Sequence, residues 1–288
     1  MLTPVDANGE PNIDNLKHLV ALFVEQQVGG LYILGSTGQG PLFTERQRRM
    51  IAETVVEVNS ERLLIIVHVG ANTTAESVRL AEHAAAIGAD AVSSVGPIYY
   101  PQTADMVFEH YRAIAGATQL PFFAYHFGMA SSLKISVGEF CNRLLKIPHI
   151  AGIKYTSPDL FALGLIHQRC GQRLQIFSGA DELMCQAALS GAAGAIGSYF
   201  NLWAPECTGA LQALQEGAFE QARRFMLTFQ SVIAETVDSI WSFLRAAMRV
   251  KYDIDVGPTK APLGNSDQQW PETEVRQLLE RIQRVAIR

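Results

Sequence analysis

Ile150-Ala151-Gly152-Ile153-Lys154-Tyr155-Thr156 reads as a buried strand that carries a lysine near its carboxyl end. Runs of this kind recur about every 25 to 30 residues, the length of a βα unit. They are Gly30–Leu34, Leu63–Val69, Ala91–Val95, Pro121–Tyr125, Gly152–Tyr155, Leu174–Phe177 and Ala193–Ile196. Several are apolar on both faces, as parallel strands covered by helices are. Segments of helical period lie between them: Ile13–Val28 puts Leu16, Leu19, Val20 and Phe23 on one face, and Ser77–Ile87 and Val107–Ile114 continue the pattern. Thr44–Val58 opens with Thr44 three residues before Gln47, a capping box. Alternation of this kind implies a parallel α/β fold, either doubly wound or closed into a barrel. An eighth run is cut short, because only Met1-Leu2-Thr3 precede the turn at Pro4.

From about Pro205 the alternation stops. Helical segments are expected over 205–226, 228–250 and 271–287, with breaks at Gly217 and over Gly257–Gly264. The last begins at Pro271 and places Val275, Leu278, Leu279, Ile282 and Val285 at helical spacing. The expected organisation is an α/β unit over 1–204 with helices over 205–288 packed against it.

Composition narrows the function. The 288 residues are 48% hydrophobic, enough for a large core, and the length suits an α/β barrel. A net charge of −5, from 23 basic and 28 acidic residues, leaves no basic footprint for nucleic acid. Cys141, Cys170, Cys185 and Cys207 are far apart and form no C-x-x-C pair, so they read as small buried hydrophobes in a reducing compartment. The start lacks a basic n-region and an apolar h-region, and no run of apolar residues reaches membrane-spanning length. A cytoplasmic protein is expected.

The residues with chemistry fall after the strands. In a parallel barrel the site is built at the strands' carboxyl ends. Gly35-Ser36-Thr37-Gly38, Tyr99-Tyr100-Pro101, Tyr125, Ser178-Gly179-Ala180-Asp181-Glu182 and Gly197-Ser198 all sit there. Lys154 and Thr156 are two apart and point the same way on a strand. Burial strips water from a lysine and favours the neutral amine, which attacks a ketone to form a Schiff base. The glycines of Gly35–Gly38 allow backbone N–H groups to approach a carboxylate closely. Asp181-Glu182 also fits the start of a following helix. His68 has no second ligand nearby in sequence and reads as a hydrogen-bonded core residue. No metal-binding spacing occurs, and no metal or other cofactor is expected.

Together these motifs, with Leu2-Thr3-Pro4, His68-Val69-Gly70, Thr74-Ala75-Glu76-Ser77, Asp90-Ala91-Val92-Ser93 and His110-Tyr111-Arg112-Ala113-Ile114, resemble the N-acetylneuraminate lyase and dihydrodipicolinate synthase superfamily of Schiff-base aldolases. The resemblance runs from about residue 2 to residue 265. It implies a (β/α)8 barrel with C-terminal helices, a homotetramer, and action on pyruvate or other 2-oxo acids. It also implies roles. Lys154 would attack the C2 ketone, and Tyr125 would carry the C4 hydroxyl proton. Ser36, Thr37 and a neighbouring subunit's tyrosine, Tyr100 here, would relay it. Gly35, Gly38, Thr156, Gly179, Asp181, Glu182 and Ser198 would hold substrate.

Within the superfamily, two features favour the sialic acid lyase branch. No arginine follows Tyr125 in the run His126-Phe127-Gly128-Met129-Ala130-Ser131-Ser132, where synthases carry one, and Asp181-Glu182 with Ser198 match hydroxyl-binding positions. Three positions depart from the pattern: Gln39 in place of a glutamate, Gly128 in place of a proline, and Ser131-Ser132. The expected reaction is reversible cleavage of a 2-oxo sugar acid to pyruvate and an aldehyde, N-acetylneuraminate first among such substrates. The alternatives are an aldolase or dehydratase for another 2-oxo acid, and a non-catalytic sugar-acid binding protein. Mere binding needs no reactive amine beside a phenol, which argues against the last.

Overall fold

A computed structural model describes residues 1–97, 99–100, 103–127, 133–263 and 269–287. Strands and helices alternate as α1 (Ile13–Glu25), β1 (Gly30–Ile33), α2 (Glu45–Asn59), β2 (Leu64–His68), α3 (Thr74–Ala86), β3 (Ala91–Val95), α4 (Ala104–Gly116), β4 (Phe122–Phe127), α5 (Val137–Leu144), β5 (Ile150–Thr156), α6 (Leu160–Cys170), β6 (Gln175–Ser178), α7 (Met184–Leu189) and β7 (Gly194–Ala195). Then come α8 (Phe200–Gln215), α9 (Phe219–Thr236), α10 (Ile240–Tyr252) and α11 (Glu272–Gln283). Each expected strand run is present, Ala91–Val95 with the expected bounds and the others shifted by a residue or two at one or both ends.

Local chemistry starts the helices. Asn12, Thr44, Thr73, Thr103, Ser136 and Asp159 each accept a backbone N–H three residues on, and Thr44 with Gln47 forms the expected capping box. Such caps satisfy amides that the helix itself leaves unbonded, each by about 1 kcal/mol.

The seven strands form one parallel sheet in sequence order, β1 to β7. Every neighbouring pair is consecutive, so the connections run one way round. The sheet curls until its first and last strands approach: Thr37, after β1, and Ser198, after β7, lie 2.7 Å apart through their hydroxyls. Below them β1 and β7 line the two sides of a slot of about 530 Å³, walled by Gly30, Leu31, Tyr32, Gly194, Ala195 and Ile196. Among the described residues the sheet has seven strands, where eight are expected. Met1–Thr3 forms no strand, although the Met1 amine donates to the Tyr32 carbonyl at 2.8 Å and the Leu2 amide to Asn201 Oδ1 at 2.8 Å.

The helical tail differs from expectation in its divisions. The first helix starts five residues earlier and ends before Gly217, which turns the chain with φ of 82°. Pro205 is accommodated just past a kink at Trp203. The segment expected over 228–250 belongs to two helices, α9 and α10, separated by one tight turn at Val237–Ser239. That break carries neither glycine nor proline, so composition does not mark it. Tyr199, Trp203, Phe229 and Phe243 pack ring against ring between α8, α9 and α10. Helices α5 to α7 were not marked by the sequence periodicity; they are short, from 6 to 11 residues. No helix among the described residues is long and apolar enough to cross a membrane.

Candidate active site

Parallel register brings the two principal residues together. Tyr125 on β4 is the register partner of Lys154 on β5, so both side chains leave the sheet on one face from adjacent strands. Lys154 is only 7% exposed, and its Nζ lies over two rings, 4.3 Å from the Tyr125 centroid and 4.6 Å from that of Tyr32. Among the described residues no carboxylate forms an ion pair with it.

These groups face a cavity of about 160 Å³ at the carboxyl ends of the strands. Gly35, Ser36, Thr37, Gly38, Tyr125, Lys154, Thr156, Gly179 and Ser198 all line it. The sequence places them in five separate segments, and the curl of the sheet gathers them. Thr156 lines this space, and its hydroxyl is buried with no hydrogen-bond partner. A buried polar group in that condition is ready for a ligand atom. Gly179 leaves it room: a Cβ there would meet Thr156 Oγ1 at 1.8 Å.

The turn after β1 is held at both ends. Leu34 and Gln39 adopt left-handed φ of 59° and 53°, a strained backbone for residues with a Cβ. Between them Ser36 is exposed and Thr37 half-buried. The Gln39 amide donates to Ser36 O at 3.0 Å, and its side-chain oxygen accepts from the Lys260 amide at 2.7 Å. Gln39, one of the departures from the family pattern, therefore faces away from the cavity and ties the turn to the tail. The other departures, Gly128 and Ser131-Ser132, and Pro101 beside the tyrosine pair, lie outside the described residues.

Three expected residues are not in the cavity wall. Asp181 is buried and accepts from the backbone of Ser198 at 3.0 Å and of Tyr199 at 3.1 Å, which fixes the approach to α8. It thus serves a helix start, though of α8 and not of the helix that follows it in sequence. Burial pushes its carboxyl up to about 6, against those two amides, which favour the anion. Glu182 is exposed. Tyr100 is 70% exposed and Tyr99 79%, their rings edge to face at 5.0 Å.

The cavity also uses residues that the sequence reading passed over: Met1, Tyr32, Phe127 and Ile196. Tyr32 could have been found, since it sits two before Leu34 in a run whose far end is the glycine turn. Its hydroxyl donates to Ser93 Oγ at 2.9 Å, and burial keeps it neutral well above the usual phenol range. The Met1 amine is pushed down to about 5, first by burial and then by Lys154. His68 behaves as a core residue. Val95 N–H donates to its Nε2 at 3.3 Å, which leaves Nδ1 to donate to Leu34 O at 3.2 Å. Burial pushes it down to about 3, so it is neutral. Among the described residues no cluster of three or more His, Cys, Asp or Glu side chains could hold a metal ion.

A curled parallel sheet with a lysine and a tyrosine side by side at its carboxyl rim defines a TIM-barrel-like α/β protein with its pocket at the strand ends. The model of the dihydrodipicolinate synthetase family matches residues 1–282, and the chain belongs to that family. It is 33% identical over 272 residues to the N-acetylneuraminate lyase of Salmonella agona, covering 94% of this chain and 91% of that protein. The structure of N-acetylneuraminate lyase from Mycoplasma synoviae superposes with a TM-score of 0.87 at 26% identity, covering 100% of this chain and 96% of the other. The Ruminococcus gnavus sialic acid aldolase shares the fold, with a TM-score of 0.91 at 23% identity over 99% of this chain and 95% of that one.

Proposed function

We propose that the protein is a Schiff-base aldolase that reversibly cleaves N-acetylneuraminate to N-acetylmannosamine and pyruvate. The observation that carries this is the buried Lys154 amine beside Tyr125 in a cavity at the strand ends, in a chain one-third identical to N-acetylneuraminate lyases. Lys154 Nζ attacks the C2 ketone, and water leaves as the iminium forms. Tyr125 takes the C4 hydroxyl proton while the C3–C4 bond breaks, and its electron pair passes into the iminium to give an enamine. Protonation at C3 and hydrolysis release pyruvate and free the lysine. Thr156 and the turn at Gly35–Gly38 hold the carboxylate end, with Ser36 and Thr37 relaying the proton.

The remaining features extend the same reading. The exposed Tyr99–Tyr100 pair suits a contact between subunits of a homotetramer, which would bring Tyr100 to a neighbouring site. The sheet is then seven strands of a (β/α)8 barrel over 1–204, with helices over 205–288 as its appendage. The slot between β7 and β1 is the place of the eighth strand, and the Met1 amine already bonds there as a strand amide would.

One observation favours a second reading. Asp181 and Glu182 stand outside the wall of a small cavity, which suits a shorter 2-oxo acid cleaved or dehydrated by the same amine. The experiment that decides is incubation with N-acetylneuraminate and a panel of 2-oxo acids, with pyruvate and N-acetylmannosamine measured. Release of N-acetylmannosamine supports the first reading. Turnover of a shorter acid alone supports the second, and no turnover of any defeats both.

A further inference from the structure

We propose that Tyr32 is a positioning residue for Lys154, its ring face favouring positive charge on the lysine nitrogen. The inference deepens the Schiff-base reading and rests on it for its catalytic meaning. Nζ lies over the Tyr32 ring at 4.6 Å and over the Tyr125 ring at 4.3 Å, and the two rings meet edge to face at 83° with centroids 6.3 Å apart. The amine therefore sits in a corner made by two aromatic faces. Tyr32 is fixed in that place from several sides. Its hydroxyl bonds Ser93, its carbonyl accepts the Met1 amine, and its ring packs on His68 at 6.1 Å. Gly35 leaves it space, since a Cβ there would stand 2.7 Å from Tyr32 Cε1.

The chemistry explains why rings rather than a carboxylate surround this amine. A buried cation needs compensation. A carboxylate would supply it by hydrogen bonding, and it would hold the nitrogen as ammonium, which cannot attack a ketone. Ring faces attract the cation without taking its proton or its lone pair. They serve the ammonium weakly, leave the neutral amine free to attack, and then serve the iminium, which carries positive charge at the same nitrogen. Tyr125 has a proton to carry, so Tyr32 is the face with no second duty.

The test grades the ring without changing its size. Phenylalanine, then progressively fluorinated phenylalanines, replace Tyr32 in the full chain; fluorine drains and reverses the charge on the ring face. The first readout is the rate at which an amine-acylating reagent labels Lys154 as pH is varied, which needs no catalysis. With Tyr32→Phe the profile should match wild type. With each added fluorine the labelling rate at a given pH should rise, by roughly tenfold across the series. The second readout is borohydride trapping with subsaturating pyruvate, where adduct at Lys154 should fall roughly 3- to 30-fold across the series.

A labelling profile unmoved by fluorination overturns the proposal. An equal change in Tyr32→Phe and the fluorinated variants also overturns it, because the role would then belong to the hydroxyl and Ser93. If wild type gives no adduct at all while the labelling profile still tracks fluorination, the Schiff-base reading fails and the Tyr32–Lys154 interaction stands.

Discussion

The Thr37 and Ser198 hydroxyls are 2.7 Å apart and bridge the turns that follow the first and last strands of the sheet. No ladder joins β1 to β7 among the described residues, so this pair closes the cavity rim where backbone bonds do not. Asp181 steadies it from below through the Ser198 amide. Gly197 permits that approach, since a Cβ there would fall 1.9 Å from Asp181 Oδ1. One hydroxyl of the pair donates to the other.

The bridge predicts coupling. Thr37→Val and Ser198→Ala should each lower stability by about 1 kcal/mol, the net worth of an ordinary hydrogen bond. The double variant should lose little more than either single one, because both remove the same bond. Denaturant titration of the four proteins checks this, and simple additivity would mean that the pair contributes nothing as a pair.

Tyr125→Phe keeps the ring under Lys154 and removes its oxygen. Turnover should fall by roughly two to four orders of magnitude, the scale of general acid–base catalysis. Pyruvate trapping at Lys154 should persist, since the ring face remains. Steady-state assay and mass spectrometry of the trapped lysine separate the two effects. Near-normal turnover would place the proton carrier on another group.

Much of this was legible in the chain because strand chemistry is local. The run Ile150–Thr156 announces both a buried strand and the lysine it presents, and the glycine turn at Gly35–Gly38 follows directly on β1. What escaped depends on distances across the curl. Tyr32 and Lys154 are far apart in sequence, and nothing in either run states that one will lie over the other. Asp181 carries the same ambiguity: an acid after a strand suits a substrate hydroxyl or a helix start, and only the fold turns it toward Ser198 and Tyr199. The α9–α10 break at Val237–Ser239 is set by packing and has no glycine or proline to announce it.

Asp181 predicts a pH dependence of stability. Its carboxyl is raised from an ordinary 3.8 to about 6 in the folded protein, mainly by burial. The folded state therefore holds the proton more tightly than the unfolded state. Stability from this group is greatest below about 4 and is lost as pH rises to about 6. Asp181→Asn removes the titration, so the difference in Tm between wild type and variant should change across that window and level off above it. Thermal melts from pH 4 to pH 7 check it, and a constant difference would mean that Asp181 does not titrate there.

Gly179 tests whether the cavity beside Lys154 is used. A Cβ at 179 would stand 1.8 Å from Thr156 Oγ1 and 3.1 Å from Lys154 Cε, so Gly179→Ala must push one or both aside. Misplacement of a reacting group by about 1 Å can cost on the order of a hundredfold. Pyruvate trapping at Lys154 should therefore fall by at least about tenfold, with little loss of Tm because the strain relaxes into open space. Removing the obstructing hydroxyl in Thr156→Ala/Gly179→Ala should restore part of the trapping. Thr156→Ala alone should chiefly raise KM, since it deletes a buried hydroxyl that has no partner within the protein and belongs to a cavity-lining residue. If Gly179→Ala traps pyruvate as well as wild type does, the 2-oxo acid does not sit between Lys154 and Thr156, and the assignment of this cavity to substrate is wrong.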